Sequence, residues 1–216
     1  MIQFDTRNIR HVLCLGAHSD DIEIGCGGTL LSLLASNPGL KVWWVVLSGD
    51  AKRTRESRAS AKFFLRNATV SKVLTKEFRI SYFPFEGSKI KTFFESLKKL
   101  PNPELVLTHY GEDRHQDHRL VSELTWNTFR DHFILEYEIP KFDGDLGQPN
   151  VFVPLEEQVC LEKTNAVCRF FQTQNNKHWF STDTFLGLMR LRGIECASPT
   201  RYAEAFYARK LVLGTC

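Results

Sequence analysis

The segment Lys41 to Ser48, KVWWVVLS, is almost unbroken in its apolar character. A strand of that kind is stable only where both of its faces are covered, as in a parallel sheet sandwiched between helices. Two further apolar runs, HVLCLG from His11 and ELVLTHY from Glu104, also read as strands. Helical patterns alternate with them. Gly27-Gly28 opens a helix over TLLSLLAS, which Asn37-Pro38-Gly39 ends. RESRASAKFFLRN and IKTFFESLKKL, the latter closed by Pro101, read as helices, and HRLVSELTWNTFRD repeats its apolar residues at Leu120, Val121, Leu124 and Phe129. SKVLTKEF reads as a strand and ISYFPF as an extended segment. Repeated β-α units require right-handed crossovers, so the expected fold class is α/β: a mostly parallel sheet in a three-layer α/β/α sandwich.

The second half is less regular. FILEYEI reads as a strand, KFDGDLGQPN as a loop long enough to cover something, and VFVPL as a strand. A long amphipathic helix from about Glu156 to Gln174, a shorter one at TFLGLMRLRG and a last strand at AEAFYARKLV complete the pattern. No repeat, low-complexity tract or linker interrupts it, so one domain over residues 1–216 is expected.

Lysine and arginine total 28 against 25 acidic residues, a formal charge of +3, and no basic block points to nucleic acid. Cys14, Cys26, Cys160, Cys168, Cys196 and Cys216 form no CxxC pair, which fits reduced, mostly buried thiols and a cytoplasmic setting. MIQFDTRNIR lacks the apolar centre of a signal peptide, and no apolar run is long enough to span a bilayer.

Chemistry concentrates in two clusters, each after an apolar strand: Ala17-His18-Ser19-Asp20-Asp21-Ile22-Glu23 and His115-Gln116-Asp117-His118. Carboxyl ends of adjacent parallel strands line one crevice, so clusters distant in sequence meet there. His18 and Asp21 leave the first strand together and can turn to one point, with Asp20 between them; His118 begins a helix and His115 precedes it. A neutral imidazole from each cluster and one carboxylate make a three-ligand zinc site with a position open. A remaining carboxylate would serve as base, and an imidazolium would steady an oxyanion. Asp117 would orient His115 or a ligand histidine. Taken singly, Asp-Asp at a strand end reads as a helix cap, and HxDH as an ordinary helix start.

Gly25-Cys26-Gly27-Gly28 lacks the GxGxxG spacing and the lysine of phosphate loops, and reads as tight backbone packing behind the first cluster. Arg53 and Tyr110 are candidate substrate contacts; Arg53 also reads as a plain helix arginine and Tyr110 as loop packing. Trp43, Trp44, Phe63, Phe64, Phe93 and Phe94 read as core, and His109 as a core or loop histidine or one that supports the second cluster from behind.

The run HSDDIEIGCGGTL resembles the AHPDDxE signature of the PIG-L/LmbE-like family of zinc-dependent N-deacetylases, and RHQDHR resembles that family's HPDH motif. Arg53-x-x-Glu56, Thr173-Gln174 and Tyr202-Ala203-Glu204-Ala205-Phe206 look like further family features. The resemblance implies a Rossmann-like sandwich. It implies His18, Asp21 and His118 as metal ligands, Asp20 as general base, and His115, held by Asp117, as oxyanion stabiliser. It implies zinc, or another divalent metal such as Fe2+. It also implies removal of an N-acetyl group from a glucosamine-type conjugate or sugar nucleotide, and a possible trimer or hexamer. Ser19 stands where the family has proline, which loosens the turn. The competing functions are a non-catalytic sugar- or nucleotide-binding protein on the same scaffold, and a zinc hydrolase of another amide or ester.

Overall fold

The computed structural model describes residues 4–212, and Cys216 lies outside them. Five strands, β1 (His11–Gly16), β2 (Lys41–Val46), β3 (Val70–Thr75), β4 (Leu105–His109) and β5 (Phe133–Tyr137), run parallel. The strand β7 (Tyr202–Tyr207) is antiparallel both to β5 and to β6 (Val151–Leu155). The sheet order is β3-β2-β1-β4-β5-β7-β6. The chain therefore winds outward from β1 in one direction through β2 and β3, then crosses back to β4. That reversal leaves a crevice at the carboxyl ends of β1 and β4.

The unbroken strands are covered on both faces, as their composition requires. Trp44, Val42, Cys14 and Leu107 pack into one apolar layer, and Trp43, Val45, Leu13 and Val106 into the other. Helices α1 (Asp21–Ser36), α2 (Ala51–Phe64), α5 (Glu157–Phe170) and α6 (Thr182–Glu195) feed the first layer through Leu30, Phe64, Val167 and Phe185. Helices α3 (Gly87–Leu97) and α4 (Gln116–Thr128) feed the second through Ile90, Phe94 and Val121. Each such buried side chain contributes about 1.5–3 kcal/mol. The three-layer α/β/α sandwich is the observed fold.

Four elements differ from their sequence expectation. The first helix begins at Asp21, not at Gly27, and is broken at Cys26, whose backbone is non-helical at φ −145° and ψ 17°. The glycines mark the break: a Cβ on Gly25 would lie 2.1 Å from the Tyr137 ring, and one on Gly28 2.5 Å from Leu155. The segment at ISYFPF is a turn followed by a short 3₁₀ helix, Phe83–Glu86, with proline in its first turn. The long helix stops at Phe170, and Gln172–Gln174 form a separate 3₁₀ turn. The last strand ends at Tyr207, before Arg209 and Lys210.

Candidate active site

Both clusters arrive at the crevice by short routes. Gly16 ends β1, His18 follows in the turn, and Asp20 and Asp21 open α1. His109 ends β4, and His115 caps α4, its Nδ1 accepting the Asp117 amide at 3.2 Å. His18 and His118, separated by 100 residues, come to 3.1 Å between Nδ1 and Nε2. His18 Nδ1 lies 3.5 Å from Asp21 Oδ2, and His118 Nε2 lies 3.6 Å from Asp21 Oδ1. Ligands about 2.0–2.1 Å from a tetrahedral zinc stand about 3.4 Å from one another. The three residues expected as ligands are thus close neighbours, His18 and His118 each approaching a different oxygen of Asp21.

The second nitrogen of each imidazole is held by a carboxylate. Asp117 Oδ2 meets His18 Nε2 at 3.0 Å, and Asp113 Oδ2 meets His118 Nδ1 at 2.9 Å. That arrangement fixes ring orientation and leaves one nitrogen of each ring turned to the common point. Asp117 is itself fixed by the amides of Ser81 at 2.6 Å and Phe83 at 3.2 Å. The Asp117 carboxylate therefore serves His18; its backbone amide, not its side chain, meets His115. An amide can only donate, so His115 Nδ1 accepts and the ring proton sits on Nε2.

Charge and burial agree with this division. Burial opposes a charge on His18, but the carboxylates of Asp21 and Asp117 outweigh it and lift its pKa to about 9. Burial, reinforced by His109, lowers His118 to about 3, so its ring is neutral and has a lone pair to give. Burial and the nearby His18 also lower His115. With Nδ1 taken by the Asp117 amide, Nε2–H is the group that His115 offers to the cavity. Burial, with the Asp21 charge beside it, raises Asp20, while Arg53 Nη2 at 3.3 Å from Asp20 Oδ1 opposes that rise.

Two residues join the site that sequence reading passed over or left aside. Asp113, five positions before His118, carried no signal beyond its place in Gly111-Glu112-Asp113. His109 stacks on His118 with ring centroids 3.9 Å apart and reaches Asp21 at 3.1 Å. His109, Asp21 and His118 also cluster closely enough to hold an ion, as do His18, His115 and His118. The Ala17 amide donates to His109 Nε2 at 3.0 Å, which occupies that lone pair. His18, Asp21, His115 and His118 all line the crevice.

A cavity of about 280 Å³ opens over these atoms, lined by His18, Asp20, Asp21, His115 and His118, with Arg53, Lys177, Phe142 and Trp179 on its wall. Asp50 caps α2 by accepting from the Lys52 and Arg53 amides, each at 2.8 Å, which sets Arg53 in the first turn. Glu56, one turn on, bonds the Thr173 amide at 3.1 Å and its hydroxyl at 2.5 Å, tying α2 to the segment that carries Lys177 and Trp179. Tyr110 is the candidate that the fold does not bring to the cavity: its ring stacks on Tyr207, centroids 3.7 Å apart. Five of the six cysteines are free thiols, four of them buried. Among the described residues no helix is long and apolar enough to cross a membrane.

Several known proteins share this arrangement of the chain. The Escherichia coli K12 deacetylase YaiS, itself uncharacterized, is 28% identical over 169 residues, spanning 72% of this chain and 88% of its own. The N,N'-diacetylchitobiose deacetylase of Pyrococcus horikoshii superimposes with a TM-score of 0.70 at 20% identity, covering 93% of this chain and 84% of that one. GalB, the 4-carboxy-2-hydroxymuconate hydratase of Pseudomonas putida KT2440, superimposes with a TM-score of 0.72 at 19% identity over 96% and 99% of the two chains. Those two likenesses establish the fold, and a hydratase among them shows that the fold alone does not set the reaction. The sequence pattern of the PIG-L family, GlcNAc-PI de-N-acetylase, matches residues 13–129, which take in both clusters and everything between them. The chain is a member of the PIG-L deacetylase family.

Proposed function

We propose that this protein is a zinc-dependent N-deacetylase of acetamido-sugar conjugates, with water as the second substrate. The observation that carries the reading is the meeting of Asp20 and His115 beside the His18, Asp21 and His118 set at the floor of one cavity. His18, Asp21 and His118 would hold the metal. When bound, zinc supplies Lewis acidity, which lowers the pKa of water to about 7 and polarises a carbonyl oxygen.

The residues of the chain account for the proton and the charge. Asp20 accepts the proton of the attacking water; its burial and the Asp21 charge raise its affinity for that proton. The oxygen adds to the acetamide carbon, and the Nε2–H of His115 donates to the oxygen that becomes negative. Asp20 then returns its proton to the nitrogen as the C–N bond breaks, releasing acetate and the free amine. Arg53 keeps Asp20 in place from the cavity wall and offers its remaining N–H groups to a hydroxyl or anionic group of the sugar.

The test is an assay of the purified protein, loaded with zinc, on a panel of N-acetylglucosamine glycosides and nucleotides. Equal amounts of acetate and amine are expected. Asp20→Asn should lower kcat by about 10²–10⁴-fold while zinc content stays the same. A zinc-loaded protein that releases no acetate from any acetamido sugar would overturn the reading.

A further inference from the structure

The loop between β5 and β6 supplies Lys141, Phe142 and Asp143 to the cavity wall. Its attachment is unusual for a surface loop. The Lys141 side chain is only 8% exposed, and its ammonium lies 3.0 Å from Asp113 Oδ2 and 2.5 Å from Asp145 Oδ2. Asp113 Oδ2 is the same oxygen that meets His118 Nδ1. Oδ1 of Asp113 accepts the His115 amide at 2.7 Å, and Asp145 Oδ2 accepts the Arg114 amide at 2.7 Å. One buried ammonium thus joins two buried carboxylates, one further along the loop that lines the cavity and one behind His118. Without it, two like charges would face each other out of water, and the loop would be pushed from its seat. The far end of the loop is tied separately, by the Arg192 guanidinium on the Gly147 carbonyl and the Gly147 amide on the Tyr207 hydroxyl. Between the two ties Phe142 is 74% exposed and lines the cavity.

We propose that Lys141 is a positioning residue that locks the cavity wall to the carboxylate orienting His118, so that metal affinity and ligand seating against Phe142 depend on one contact. The proposal rests on the metal-site reading above for His118, but the lock itself exists in the protein without metal.

Two measurements test it: zinc affinity by competition with a chromophoric chelator, and hydrogen exchange of the backbone amides in the metal-free protein. Lys141→Met keeps the stem and removes the charge. It should weaken zinc binding by about tenfold and speed exchange at residues 113–115 and 141–147, and Lys141→Arg should restore both. On an acetamido-sugar substrate, Lys141→Met should raise KM by a larger factor than it lowers kcat. Asp145→Asn, which loosens the loop but leaves Lys141 on Asp113, serves if the first variant does not fold. It should speed exchange at 141–147 and leave zinc affinity within about twofold of the parent, well inside the 10–100-fold cost of losing a group that orients a ligand. Wild-type zinc affinity together with unchanged exchange in Lys141→Met, or unchanged exchange in Asp145→Asn, would overturn the lock. A parent protein that binds no zinc would instead remove the metal reading, and exchange alone would then judge the lock.

Discussion

The crevice above β1 and β4 and the break in α1 are both built from buried charge, arranged in opposite ways. At the break, every charge has an internal partner. The Glu204 carboxylate accepts the Gly28 amide at 2.8 Å and the Thr29 amide at 2.7 Å, capping the second half of the helix. The Lys163 ammonium donates to the Ile24 carbonyl and to Glu204 Oε1, each at 2.6 Å, capping the first half. In the crevice the partners are ring nitrogens and carboxylates of one cluster: His18 and His118 face each other at 3.1 Å, and Asp20, beside Asp21, meets Arg53. A buried pair that satisfies itself is architecture. A cluster of imidazoles and carboxylates on the floor of a cavity can exchange its internal partners for a ligand.

The largest break in this comparison is expected from Lys163→Met. It leaves Glu204 buried without its counter-charge and should cost about 3–5 kcal/mol of stability in urea unfolding. The double variant Lys163→Met with Glu204→Gln should lose less than the single one, since no unpaired charge remains. A single variant no weaker than the double would show that the pair is not the cap its geometry describes.

A smaller effect of opposite sign is expected in the first turn of α1. Glu23 is fully buried, among the described residues its carboxylate oxygens make no hydrogen bond of ordinary geometry, and burial, opposed by Ser60, pushes its pKa well above the usual 4.5. The folded chain therefore keeps a proton that the unfolded chain releases, so stability falls as pH rises through the unfolded-state value. Glu23→Gln removes that loss. Its Tm should match the parent near pH 4 and exceed it by a growing margin toward pH 8, by calorimetry. An equal difference at both pH values would refute the assignment.

The smallest effect sharpens the one irregularity of the motif. Ser19 is buried, its hydroxyl reaches the Ser48 carbonyl only at 3.4 Å, and among the described residues its amide has no acceptor. Ser19→Pro should change stability by less than about 1 kcal/mol. Zinc affinity should stay within about threefold of the parent, because the substitution touches no group that orients a ligand. A larger loss would mean that the turn uses the serine.

Much of the fold was legible because burial on two faces leaves a composition that nothing else explains, as in Lys41 to Val46 and Leu105 to His109. The early start of α1 was hidden by its own glycines, which read as a helix opening while they mark a break capped from β7 and α5. Asp20, Asp21, His18, His115 and His118 were visible through residue type and place after a strand. Asp113 was not, since an acidic residue in a loop has no distinguishing signal. Tyr110 stood beside the second cluster in sequence and turned to Tyr207 instead, because adjacency along a loop does not fix the direction of a side chain.

The sequence by itself determined the layered α/β class and placed two polar clusters at strand ends, since hydrophobic periodicity and strand-end position are properties of short segments. Only the tertiary structure decided which carboxylate serves which histidine, that Asp117 holds His18, and that Lys141 reaches from a distant loop to the support of His118. Those contacts join segments far apart in the chain. Their partners are chosen by the packing of the sheet and helices, a quantity that no local pattern records.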